Sequence, residues 1–269
     1  MKALVCFKIV PDLDMMTEKD WVIQDNFQID TSFVKKMINP YDESALETAL
    51  KLSDASADLC LYAMTIGDSQ SDYYLKTLYA LQFERAVRVE TFADLRFQPE
   101  ITAAVISKYV KEMVPQDMIF MGKQSGEGDN GKTPFLVAEM LGWPCISEII
   151  RVEPVDGHSV SVTGMTDEGV LTQTVKLPCV FSVGNVAGAY MRVPTLKDRI
   201  KHGKKDIDVI DIQKFNVDSL LDLPADSIEL KDAEVVSHKR KNVIIQGGSI
   251  RQKVKNLYTE YLDDRLKRI

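Results

Sequence analysis

The feature that most constrains this chain is the alternation of short apolar runs with amphipathic segments along its first half. Ala3–Val10 is a nearly continuous apolar run, as expected of a strand buried on both faces. Asp42 to Leu52 then carries Ala45, Leu46, Ala49 and Leu50 at helical spacing behind an Asn39-Pro40 turn. Leu59–Ile66 predicts a second strand, Ser71–Leu81 a helix and Ala86–Val89 a third strand. Pro99–Val114 reads as an amphipathic helix, Asp117–Met121 as a fourth strand and Pro134–Leu141 as the next helix. Buried strands joined by crossover helices predict an α/β fold: an open, mostly parallel, Rossmann-like sheet with helices on both faces.

After Trp143-Pro144 the pattern shortens. Ile149–Val155, Val160–Met165 and Val170–Leu177 read as three strands turning at Asp156-Gly157 and Glu168-Gly169, an antiparallel extension of the sheet. From Val193 the chain turns polar, with a basic run from Lys197 to Lys205 and an acidic stretch from Asp206 to Asp232. A strand-like Asn242–Gln246 and a helix over Ser249–Ile269 close it, with Ser249 as N-cap. In that helix Ile250, Val254, Leu257, Tyr261 and Leu262 share one side. The division expected is an α/β domain over 1–190, a segment over 191–205 and an arm over 206–269 that needs a partner surface.

The formal charge of −7 on 269 residues argues against nucleic-acid binding, which needs excess Lys and Arg. No apolar stretch reaches the roughly 20 residues that span a bilayer, so membrane insertion is not expected. The opening MKALVCFKIVPD carries a lysine within its apolar run and reads as a strand, not a signal peptide. Cys6, Cys60, Cys145 and Cys179 sit singly in apolar segments, the pattern of reduced thiols in a cytoplasmic protein. The three histidines lie far from them in sequence, so no metal centre is expected.

Chemistry concentrates between the fourth strand and its helix. Gly122, Lys123, Gln124, Ser125, Gly126, Glu127, Gly128, Asp129, Asn130, Gly131, Lys132 and Thr133 form a loop with four glycines. Glycines let successive N–H groups converge on an anion, and the next helix adds its positive end. In open α/β sheets a loop at a strand's carboxyl end is where a ligand sits. We therefore expect a nucleotide-phosphate loop. Gly126 to Thr133 also satisfies the pattern G-x-x-x-x-G-K-[ST]. Three residues separate Gly122 from that match, Pro134 suits a helix start past the Gly-Lys, and no apolar run ending in Asp follows. These features favour holding a nucleotide over cleaving it. No Ser-His-Asp, Cys-His or paired-carboxylate set assembles, which favours a carrier over a hydrolase. Asp42, Glu43 and Glu47 read as charges on a helix's first turns and exposed face, serving its dipole.

Over essentially its full length the chain resembles the β (small) subunit of electron-transfer flavoproteins. The resemblance rests on MKALVCFKIVPD, on Ile38 to Asp42 followed by Ala45-Leu46-Glu47, and on Gly122-Lys-Gln with Asp129 and Thr133. It continues through Leu141-Gly142-Trp143-Pro144 and Arg192 to Leu196. The resemblance implies a heterodimer with an α subunit that holds the redox-active FAD, served by a flavin-dependent dehydrogenase. It also implies a nucleotide in this chain: AMP in most members, or in electron-bifurcating members a second FAD that exchanges a hydride with NADH. By position the nucleotide site comprises Cys6, Asn39, Pro40, Tyr41, Asp42, Ile66 and the loop Gly122–Thr133. Pro194, Thr195, Leu196 and Arg199 fall in the dehydrogenase-docking segment, where Leu196 suits a small apolar anchor. Two positions depart from the family pattern. Met165 stands where members often carry a glutamate near the α-subunit flavin, and Gly128, as in bifurcating members, leaves room for a pyrophosphate. The other readings of these residues are a P-loop-like nucleotide hydrolase and a stand-alone adenine-nucleotide-binding regulatory module.

Overall fold

The structure is a computed structural model that describes residues 1–25, 27–56, 58–186, 190–217, 231–236 and 242–267. The chain divides into two compact units, Met1–Lys231 and Asp232–Ile269.

The first unit is built on strands β1 (Lys2–Cys6), β4 (Cys60–Gly67), β5 (Arg85–Glu90) and β6 (Met118–Gly122). Helices α1 (Pro40–Asp54), α2 (Asp72–Ala80), α3 (Pro99–Lys108) and α4 (Thr133–Leu141) connect them. Period-two alternation sends successive side chains to opposite faces. Ala3 and Val5 join Leu46, Ala49, Leu75 and Phe120 in one buried cluster. Leu4 and Cys6 join Ile101, Val105, Tyr109 and Val137 in the other. Helices α1 and α2 therefore cover one face, and α3 and α4 cover the other.

The sequence expectation for this part holds, with one break. The apolar run Ala3–Val10 leaves the sheet after Cys6. A short strand β2 (Ile9–Pro11) then pairs antiparallel with β3 (Lys36–Ile38) in a separate ribbon. Proline lacks the N–H a central strand needs, so Pro11 belongs on such an edge.

The second half supplies β7 (Cys145–Pro154), β8 (Ser159–Thr166), β9 (Gly169–Lys176) and β10 (Cys179–Val183). Sheet order is β5-β4-β1-β6-β10-β7-β8-β9, and β11 (Asp208–Asp211) pairs with β5 outside it. From β11 to β7 every neighbouring pair is parallel; only the β7–β8 and β8–β9 pairs are antiparallel. Sequence patterning passes over β10, a five-residue run after Pro178 that fills the gap between β6 and β7. It also assigns β11 to the arm, whereas Asp208–Asp211 extends the sheet, and Ile210, Phe215 and Val217 are buried.

After α5 (Leu196–His202) and β11 the first unit ends. In the second unit a helix over Ile250–Leu257 opens where Ser249 Oγ accepts the Gln252 N–H at 3.3 Å, the expected N-cap. It runs on through a wider turn, Tyr258–Leu262, to a last turn, Asp263–Leu266. Residues 242–246 form no strand, contrary to their β-like composition. Among the described residues none pairs with this run, and an unpaired run gains no ladder hydrogen bonds.

Candidate functional site

Chain direction sets where a site forms. From β1 the chain steps outward to β4 and β5, then crosses back to β6 on the far side of β1. The order reverses at β1 and β6, and the crevice outside their carboxyl ends is where open α/β sheets place ligands. A cavity of about 860 Å³ opens there, bordered by Cys6, Ile66 and Gly67 at strand ends and by the glycine-rich loop.

Asp42 brackets the floor of this crevice. Its Oδ2 accepts the Lys8 N–H at 2.9 Å, just past β1, and its Oδ1 accepts the Gly122 N–H at 2.8 Å, at the end of β6. Burial raises its carboxyl to about 6, although those two N–H donors, Asn39 and the Lys8 charge pull it down. Gly122 permits the approach: a Cβ there would lie 2.7 Å from the Asp42 nitrogen and from the Tyr41 carbonyl carbon. Beside them the Cys6 thiol is buried, and desolvation holds it protonated, with its pKa pushed far up. A thiol in that state is a wall, not a nucleophile.

Asn39 reaches forward rather than capping α1: its Nδ2 donates to the Gln124 carbonyl at 2.8 Å, tying helix start to loop. Ser125 Oγ donates to the Glu127 carbonyl at 2.7 Å, and Asn130 Oδ1 accepts the Lys132 N–H at 2.9 Å. The Lys8 ammonium donates to the Glu127 carbonyl at 3.2 Å and pairs with its carboxylate at 3.4 Å. Gly128 and Gly131 have φ of +77° and +61°, a conformation that favours glycine. Lys132 sits at the N-cap position of α4 without a side-chain cap bond, and Thr133 is the first helical residue, one position ahead of the start expected at Pro134.

The loop behind β5 also borders the cavity, through Thr91, Phe92, Asp94 and Arg96. Sequence reading passed over these residues. The signal for them was positional: they follow a parallel strand's carboxyl end, like Gly122. Of the residues expected at the site, Pro40, Tyr41, Asp129 and Lys132 do not border the cavity. The Tyr41 ring instead lies 5.2 Å from the Lys123 ammonium, which also pairs with Glu148 at 2.9 Å. At Gly128 the space a side chain would take is filled by the Arg96 carbonyl and is not left open for a pyrophosphate.

The chain matches the family described as "Electron transfer flavoprotein domain" over residues 27–214. It is 33% identical to YgcR of Escherichia coli (strain K12), across 99% of this chain and 100% of that one. This chain belongs to the electron transfer flavoprotein β-subunit family. The β subunit of Dictyostelium discoideum is 30% identical over 85% of this chain and 88% of its own length. The mitochondrial β subunit of Arabidopsis thaliana is 32% identical over 83% of this chain and 86% of its own.

Away from the crevice, Thr195 caps α5 by accepting the Asp198 N–H at 3.2 Å, and Leu196 stands 73% exposed. Arg192 anchors this segment to α1. Its Nη2 lies 2.8 Å from Glu47 Oε1, its own N–H donates to Glu47 Oε2 at 3.1 Å, and Nη1 reaches Asp54 at 2.6 Å. Asp42 and Glu47 are thus buried brackets rather than exposed dipole partners. Among the described residues, no helix is long and apolar enough to cross a membrane.

Proposed function

We propose that this chain holds an adenine nucleotide in the crevice and pairs with an α chain carrying a redox-active FAD. The pair relays electrons between a flavin-dependent dehydrogenase and an acceptor. The observation that carries this reading is the 860 Å³ cavity at the β1/β6 reversal, bordered by the glycine-rich loop and Thr133. The residues fit a nucleotide. Backbone N–H groups of the loop, the Thr133 hydroxyl and the start of α4 suit phosphate, while Cys6 and Ile66 offer apolar walls to a base. By the family resemblance, a bound AMP is structural and a bound FAD supplies redox chemistry. Lys132 lies outside the cavity border, which counts against a P-loop hydrolase. The exposed Ile250, Val254, Tyr258 and Leu262 support an arm that covers itself on the α chain, and count against a stand-alone module. Four free cysteines support a reducing, cytoplasmic setting.

The test is to purify the full chain, denature it and identify what is released by mass spectrometry. AMP or FAD in about equimolar amount supports the reading. Steady ATP turnover lost in Lys132→Ala overturns it.

A further inference from the structure

We infer that Glu148 is a positioning residue for the glycine-rich loop: it holds Lys123 so that the loop's N–H groups stay aimed at a phosphate. This rests on the nucleotide-site reading above. Lys123 borders the cavity and Glu148 does not, so Glu148 acts through it. A break in β7 carries the inference. Between the pairs Phe181–Ile146 and Val183–Ile149, β10 has one residue, Ser182, and β7 has two, Ser147 and Glu148. Glu148 thus belongs to a bulge, and its φ is +52°. Among the described residues, no other non-glycine residue inside a strand has a positive φ. Holding such a residue there costs about 1–3 kcal/mol, and bulges beside functional sites re-aim a side chain.

Here the side chain is aimed across the end of β10. Glu148 Oε1 accepts the Lys123 ammonium at 2.9 Å, although Lys123 follows β6, two places away in the sheet. Gly184 clears the way: a Cβ there would lie 2.6 Å from Glu148 Oε2. The Lys123 N–H donates to the Val183 carbonyl at 3.0 Å, and its own carbonyl lies 3.5 Å from where a Gly131 Cβ would stand. The loop therefore closes on Lys123 just before Thr133 and α4. Magnitudes separate positioning from stability. The side chains of the pair are 26% and 43% exposed, and such pairs contribute about 0–1 kcal/mol. That does not exceed the strain of the backbone that aims the carboxylate. The arrangement adds no net stability; what it secures is the place of Lys123.

The experiment uses the full chain freed of what it carries, with AMP, FAD and adenosine as probes in titration calorimetry. Glu148→Gly removes the carboxylate and relieves the strain together. Its melting temperature should stay at or above that of the parent, while AMP and FAD bind about tenfold more weakly through lost preorganisation. Adenosine, which lacks the phosphate, should bind as it does to the parent. Glu148→Gln keeps the side chain without its charge, should weaken AMP in the same direction, and serves if Glu148→Gly misfolds. In a Lys123→Met background, Glu148→Gln should have no further effect, as a residue acting through Lys123 requires. Parental or tighter AMP binding in the variants, or an equal loss for AMP and adenosine, overturns the inference and leaves the nucleotide site standing. If the parent chain binds neither AMP nor FAD, the nucleotide-site reading fails and the inference falls with it.

Discussion

Asp42 and Gly122, eighty residues apart, are joined by a hydrogen bond of 2.8 Å that closes the floor of the crevice. The helix that follows β1 thereby holds the end of β6, and the approach is close enough to leave no room for a side chain at 122. The geometry makes Gly122 a packing requirement as much as a loop residue.

Gly122→Ala should therefore destabilise the fold by about 2–3 kcal/mol, the usual cost of overpacking a filled site. Gly157→Ala, whose Cβ meets nothing within 4 Å, should stay within about 0.5 kcal/mol. Urea unfolding of the two variants measures the difference. Equal stabilities would show that α1 and β6 separate freely.

Asp42 makes stability depend on pH. Burial lifts its carboxyl from the ordinary value of 3.8 to about 6. Below pH 3.8 both folded and unfolded chains carry its proton. Between there and pH 6 the unfolded chain has released it and the folded chain has not, so stability falls as pH rises. The two pKa values imply a loss of about 3 kcal/mol from this group. The unfolding free energy of the parent minus that of Asp42→Asn should fall by about 2 kcal/mol from pH 4 to 6.5, most of that loss. A flat difference would mean the buried carboxylate ionises without penalty.

Arg192 neutralises Glu47, whose side chain is 7% exposed. Removing the guanidinium in Arg192→Ala leaves a buried carboxylate unpaired and should cost about 2 kcal/mol. Proteolysis should also become faster within the segment leading to α5. Asp54→Asn, on the 61% exposed end of the same network, should cost less than 1 kcal/mol.

Leu196 is exposed and caps nothing, so Leu196→Ala should leave the melting temperature unchanged. If it anchors a dehydrogenase, electron transfer into the α–β complex should slow through a raised KM. An unchanged KM would reduce it to an ordinary surface leucine.

The helix at Ile250–Leu257 presents apolar residues to solvent, including Ile250 and Val254. Protease should cut the isolated chain there, and adding an α subunit should protect it. Equal cutting in both would remove the arm from the heterodimer interface.

The elements that sequence displays best are those whose signals are local. Pro99 at a helix start and the apolar strands were readable in place, whereas α1 begins at Pro40, inside the turn expected ahead of Asp42. Strand β10 was not, because its five residues carry no turn or alternation of their own and become a strand only between β6 and β7. Asp42 looked like a dipole charge because its spacing in α1 says nothing about the β6 nitrogen that it meets.

Gly128 draws the line most clearly. Sequence alone determined an α/β sheet with a glycine-rich loop after its fourth helix-linked strand, since periodicity and glycine content act within a few residues. Only the tertiary structure decided what Gly128 is for. Its side-chain space is taken by the carbonyl of Arg96, thirty-two residues earlier, on the loop of a strand three places away. Contacts between distant segments arise from how the sheet is ordered, and no spacing along the chain records that order.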